Sequence, residues 1–125
     1  PGKGTATPAR MINLLTAYPD QPVVLAHWGG GLPFYELNRA VHQVTRNVVY
    51  DSAATTYLYR DDVFQSVVNI VGADRVLFAS DYAVLRQDRL LRKVRSILDS
   101  DDAPAILGNN AERVYRLSEI EEVSA

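Results

Sequence analysis

The sequence contains no cysteine in 125 residues, which excludes disulfides and thiolate metal sites outright. Histidine is almost as scarce: only His27 and His42 occur. No apolar run approaches the ~20 residues that would span a bilayer. Residues 1–8 are polar and carry no apolar signal core. Nor is there an excess of either charge. The 13 basic and 15 acidic side chains are well mixed, for a net charge of −2. That balance argues against a nucleic-acid groove or an anionic membrane surface as partner. No Asn-Gly signal separates any two strand-like runs, and no linker divides the chain, so residues 1–125 read as a single domain. The lack of cysteine suits a cytoplasmic setting. The chain opens on Pro1 without an initiator Met, as a processed, trimmed or excised piece would.

What is present is a repeated pattern. Three short apolar runs, residues 23–26, 48–50 and 76–79, show no polar alternation and read as strands covered on both faces. The first ends at His27, the second at Asp51 and Ser52, and the third at Ser80, Asp81 and Tyr82. Gly29, Gly30 and Gly31 follow His27 and permit a tight turn with positive φ. Thr7 and Pro8 form a helix start, with Met11, Ile12, Leu14, Leu15 and Tyr18 on one face and Pro19 as the stop. Leu37, Ala40, Val41 and Val44 predict a helix over residues 33–46. Val63, Phe64, Val67, Val68 and Val71 predict another over 61–71, closed by Gly72. Asp88 is placed to cap a helix running to about residue 98. A short helix starts at Ala105, and Asn110 is placed to cap the last one, through about residue 117. The acidic tail from Ser118 is expected to fray.

The order is helix, then three rounds of strand and helix. His27, Asp51 and Asp81 lie 24 and 30 residues apart, which suits right-handed crossovers between parallel strands. The predicted fold class is α/β, with about three parallel strands alternating with helices, too few for a stable open sheet and far too few for a closed barrel. A complete barrel needs roughly 250 residues. The chain is therefore expected to associate with further copies of itself or with a missing amino-terminal half. In such barrels the carboxyl ends of the strands hold the chemistry, which singles out His27 and Asp81.

Four stretches carry a resemblance. VVLAHWGGGLPF (residues 23–34), NVVYDSA (47–53), GADRVLFASDY (72–82) and ILGNNAERVYRL (106–117) occur in the order and spacing of the carboxyl-terminal half of the amidohydrolase-related family. The resemblance implies a fold of α/β class, a partial (β/α)8 TIM-type barrel, and a metal-dependent enzyme. It would hydrolyse a C–N, C–O or lactone bond, or decarboxylate an aromatic acid without oxidation, on a small-molecule substrate. It implies that Asp81 ligates the metal and accepts a proton from metal-bound water. It further implies that His27 polarises the substrate or moves a proton, and that the ion is a divalent metal, Zn2+ first. A bound divalent cation lowers the pKa of its water to about 7, which is why a carboxylate and an imidazole are useful beside it. The family's His-any-His pair and its further metal His are absent, because only two histidines occur. One Asp and one His fall short of the three protein ligands usual for catalytic zinc. The alternative expectation is a catalytically inert fragment or a self-associating scaffold.

Other residues carry two readings each. Trp28 and Tyr82 could shape a substrate pocket or simply pack. Asp51 and Ser52 could line that pocket or cap the next turn. His42 reads as a surface or packing residue. Arg86 and Arg89 could clamp a substrate carboxylate, although a solvated charged face is the favoured account. The glycine run is not a dinucleotide fingerprint, because position 34 is Phe34. The stretch Gly2-Lys3-Gly4-Thr5 echoes a phosphate loop but has no strand before it.

Overall fold

The structure is a computed structural model and describes residues 5–117. The expected fraying tail and most of the Gly2-Lys3-Gly4-Thr5 stretch lie outside those residues. Helix α1 (Pro8–Ala17) starts where its capping signal sits: the Thr7 hydroxyl accepts the Arg10 N–H at 3.4 Å. Strands β1 (Val23–Leu25), β2 (Val48–Asp51) and β3 (Val76–Leu77) form one parallel sheet in the order β1-β2-β3. Val24 faces Val49 across the first pair, and Tyr50 faces Val76 across the second. Parallel strands joined by helical crossovers are the α/β arrangement the spacing predicts. Strand β3 is shorter than its apolar run. Beyond Leu77 the Phe78 N–H donates to Ile106 O at 2.9 Å, so the sheet ladder gives way to the segment around Ala105–Asn109.

The expected helix over residues 33–46 is two helices, α2 (Leu32–Tyr35) and α3 (Arg39–Val44). Asn38 caps α3 by accepting the Ala40 N–H at 2.9 Å. The break accompanies a buried charge. The Glu36 side chain has no exposed surface, and its carboxylate accepts both Nη groups of Arg75 at 2.8 and 2.9 Å. The Tyr50 hydroxyl donates to the same carboxylate at 2.5 Å, and His42 Nδ1 approaches it at 2.9 Å. Arg75 also reaches the carbonyls of Val48 and Thr45, at 2.8 and 2.7 Å. The pair is thus hydrogen-bonded on every side, which is what a buried ion pair requires. His42 is on the surface, as expected, with this contact as its packing role.

A short helix α4 (Thr55–Leu58) precedes α5 (Val63–Val71), whose Val63, Phe64, Val67 and Val71 are buried as the periodicity demands. They share one core with Trp28, Leu32, Val48, Tyr50 and Val76. Helix α6 (Gln87–Arg95) begins just before Asp88, which does not cap it. Asp88 instead takes Arg86 at 3.1 Å, and that hydrogen bond holds its carboxyl below the usual range. Arg86 is thereby engaged on a solvated face. Asn110 is no cap for the last helix, α7 (Asn110–Tyr115); it is the first residue of the helix and is buried. Its Nδ2 donates to Ala73 O and Val76 O, both at 2.8 Å, and ties α7 to the start of β3.

Burial, followed by the bond to Glu36, pushes the Tyr50 phenol far above its ordinary 10.0, and burial raises Tyr59. The fold therefore favours the neutral phenols. Their contribution to stability is complete below about pH 10 and is lost as pH rises past it. Phenolate absorbance is expected to show that Tyr50 and Tyr59 resist ionisation until the protein unfolds in alkali. Reversible titration of all seven tyrosines near pH 10 would contradict this placement.

Candidate functional site at the strand ends

Because the three strands are parallel and adjacent, their carboxyl ends lie along one rim of the sheet. Each end turns through a left-handed backbone. After β1, His27 and Trp28 take φ of 55° and 56°, and Gly29, Gly30 and Gly31 continue at 54°, 63° and 93°. After β2, Ala54 sits at 54°, and after β3, Asp81 sits at 58°. Among the described residues five non-glycine positions have positive φ, and four of them are on this rim. A left-handed L-residue costs roughly 1–2 kcal/mol, so the rest of the fold must hold these residues in place. The glycines extend the first turn without that penalty. Gly29 also needs its missing Cβ, which would lie 3.2 Å from Leu25 Cδ1 and 3.3 Å from the Tyr50 ring.

Hydrogen bonds tie the three ends together. His27 Nδ1 donates to Ala53 O at 3.0 Å. The Asp51 carboxylate accepts the Ala53 N–H at 2.6 Å and closes a side-chain turn at the end of β2. Trp28 Nε1 donates to Thr55 Oγ1 at 2.9 Å, and that hydroxyl donates onward to Ser52 O. Ser52 N–H reaches Leu77 O at 3.0 Å, and Ser52 Oγ accepts the Ala79 N–H at 3.1 Å.

The rim brings His27 and Asp51 together through Ala53. It places Asp81 and Tyr82 on the exposed turn after β3, where Tyr82 is 81% exposed. Trp28 and Ser52 are completely buried. Trp28 packs edge-on against Phe64 with ring centroids 5.1 Å apart. Both therefore support the rim from beneath and have no open face in this chain. Nothing in the sequence singles out Thr55, whose signal is only a polar residue shortly after a strand. Among the described residues no group of three or more His, Asp or Glu is placed to hold a metal ion. The donor set here is incomplete for a tight metal centre. A depression of about 500 Å³ lies at the opposite end of the sheet, floored by Val23, Val24, Val48 and Val49 and edged by Arg46 and Arg113. No described helix is long and apolar enough to cross a membrane.

Comparison with known proteins places this architecture. Solved structures superpose on most of the chain. The 5-carboxyvanillate decarboxylase from Sphingomonas paucimobilis matches with a TM-score of 0.67 and 21% identity, over 86% of this chain and 38% of its own. A dihydroxybenzoic acid decarboxylase from Polaromonas sp. JS666, with bound manganese and the inhibitor 2-nitroresorcinol, matches with a TM-score of 0.73 and 18% identity. That match spans 89% of this chain and 40% of the enzyme's own. A 2,6-dihydroxybenzoate decarboxylase from Rhizobium matches with a TM-score of 0.68 and 20% identity, over 89% and 40%. The chain thus spans about two-fifths of the length of these proteins, and at such identities the likeness is one of fold. No curated protein matches the chain. The amidohydrolase family model matches residues 4–117, nearly the whole sequence. With three parallel strands alternating with helices and a strained rim at their carboxyl ends, the chain belongs to the amidohydrolase family.

Proposed function

We propose that this chain is the carboxyl-terminal part of a metal-dependent amidohydrolase-family enzyme, and that its strand-end rim supplies His27 and Asp81 to the active centre. The observation that carries the reading is the clustering of left-handed non-glycine residues, His27 and Asp81 among them, at the ends of all three strands. Among the described residues Asp81 is the metal ligand we assign, to a divalent ion completed by residues outside this chain. Manganese in one neighbour supports a divalent metal without favouring zinc. The reaction class is hydrolysis of a C–N, C–O or lactone bond, or nonoxidative decarboxylation of an aromatic acid. The decarboxylases among the structural neighbours support the second. Asp51 and Tyr82 would face the substrate, while Trp28 and Ser52 would hold the rim beneath it.

A second reading is an inert fragment or a self-associating scaffold. The lack of any cluster of three metal donors among the described residues favours it, as do the outer edges of β1 and β3, which pair with no other strand among those residues. Titrating Mn2+ into the purified chain separates the two. Weak 1:1 binding is expected, falling by about tenfold or more in Asp81→Asn. Binding untouched by Asp81→Asn would overturn the ligand assignment. No binding at any concentration, with large particles by light scattering, would establish the scaffold instead.

A further inference from the structure

We infer that Asp51 is a positioning residue that fixes which nitrogen of His27 faces the reacting centre. The importance of His27 rests on the function proposed above, but the hydrogen-bond argument does not. Among the described residues the ring's only hydrogen-bond partner is a carbonyl, Ala53 O, at 3.0 Å. A carbonyl oxygen accepts and cannot donate, so Nδ1 carries the hydrogen. The neutral ring then presents a bare lone pair at Nε2. In that state His27 can take up a proton or coordinate an ion at Nε2, and it cannot donate a hydrogen bond from it. This separates two roles that the residue type alone leaves open.

What aims the Ala53 carbonyl is the carboxylate two residues earlier. Asp51 Oδ1 accepts the Ala53 N–H at 2.6 Å and so fixes the 52–53 peptide, from which the Ala53 carbonyl is set one peptide unit further on. Ala54, left-handed at φ 54°, then bends the chain away into α4. Asp51 thus acts on His27 through the backbone and without touching it. The arrangement parallels the way metal-binding and catalytic histidines have one ring nitrogen held by an outer partner. That partner is here a main-chain carbonyl set by an acid.

With two histidines in the chain, nitrogen-15 NMR of the imidazoles resolves the question, and His42→Asn assigns the signals. The neutral His27 ring is expected to show a protonated Nδ1 and an unprotonated Nε2. Asp51→Asn retains the accepting oxygen and should preserve that pattern. Asp51→Ala and Asp51→Val remove it, the latter keeping side-chain volume and strand propensity. Either should shift both nitrogens toward the averaged values of a ring exchanging between its two neutral forms. A wild-type ring protonated on Nε2, or an unchanged spectrum in the folded alanine or valine variant, would overturn the inference. Neither result depends on metal binding, so the inference and the proposed function can fail separately.

Discussion

Replacing Glu36 by alanine is expected to cost about 3–5 kcal/mol of folding free energy, because it strands a buried guanidinium. Arg75 would keep its contacts with the Val48 and Thr45 carbonyls but lose both bonds to the carboxylate. Tyr50 would lose the acceptor of its hydroxyl in the middle of the core. A domain of this size has roughly 5–15 kcal/mol in all, so the loss would leave the fold marginal. The cost belongs to the orphaned partner more than to the ion pair. The double change Glu36→Leu with Arg75→Met should therefore recover much of it. His42→Ala should do little, because that side chain is more than half exposed. Urea unfolding monitored by the lone tryptophan measures all three. A loss below about 1 kcal/mol for Glu36→Ala would mean that the network does not hold the core as described.

Trp28→Ala should destabilise the chain by a similar amount, about 3–5 kcal/mol, through the cavity it opens. The ring is fully buried, packs edge-on against Phe64 and supplies the hydrogen that links the first strand end to Thr55. Trp28→Phe keeps most of the apolar area and should cost less, chiefly the lost bond to Thr55 at about 1 kcal/mol. Circular dichroism in denaturant serves here, since the fluorophore is gone. Equal losses for alanine and phenylalanine would place the importance of Trp28 in its indole N–H and not in its bulk.

The elements that read clearly from the sequence are those whose signal is local. The three apolar runs became the three strands, and the Thr7-Pro8 start, the α5 stripe and the positive φ at Gly29–Gly31 are all present. What the sequence hides depends on partners far along the chain. Glu36 and Arg75 are 39 residues apart, and in isolation each looks like an ordinary solvated charge. Their pairing accompanies the break in the helix predicted over residues 33–46. Asn110 carries a capping side chain, yet its amide is spent on carbonyls 34 and 37 residues earlier. At the site, strand-end position was legible for His27, Asp51 and Asp81. Burial was not: nothing local says that Trp28 and Ser52 lie under the rim while Tyr82 stands clear of it.

Most ties along that rim end on main-chain atoms: the Ala53 carbonyl and amide, the Ser52 carbonyl, the Ala79 amide and the Leu77 carbonyl. Peptide groups are common to every amino acid. Such ties do not themselves depend on which side chains stand at positions 53, 77 and 79, even though burial still limits the size allowed at Ala53 and Leu77. They give a physical route by which proteins sharing only about a fifth of their residues with this chain can superpose on nearly nine-tenths of it.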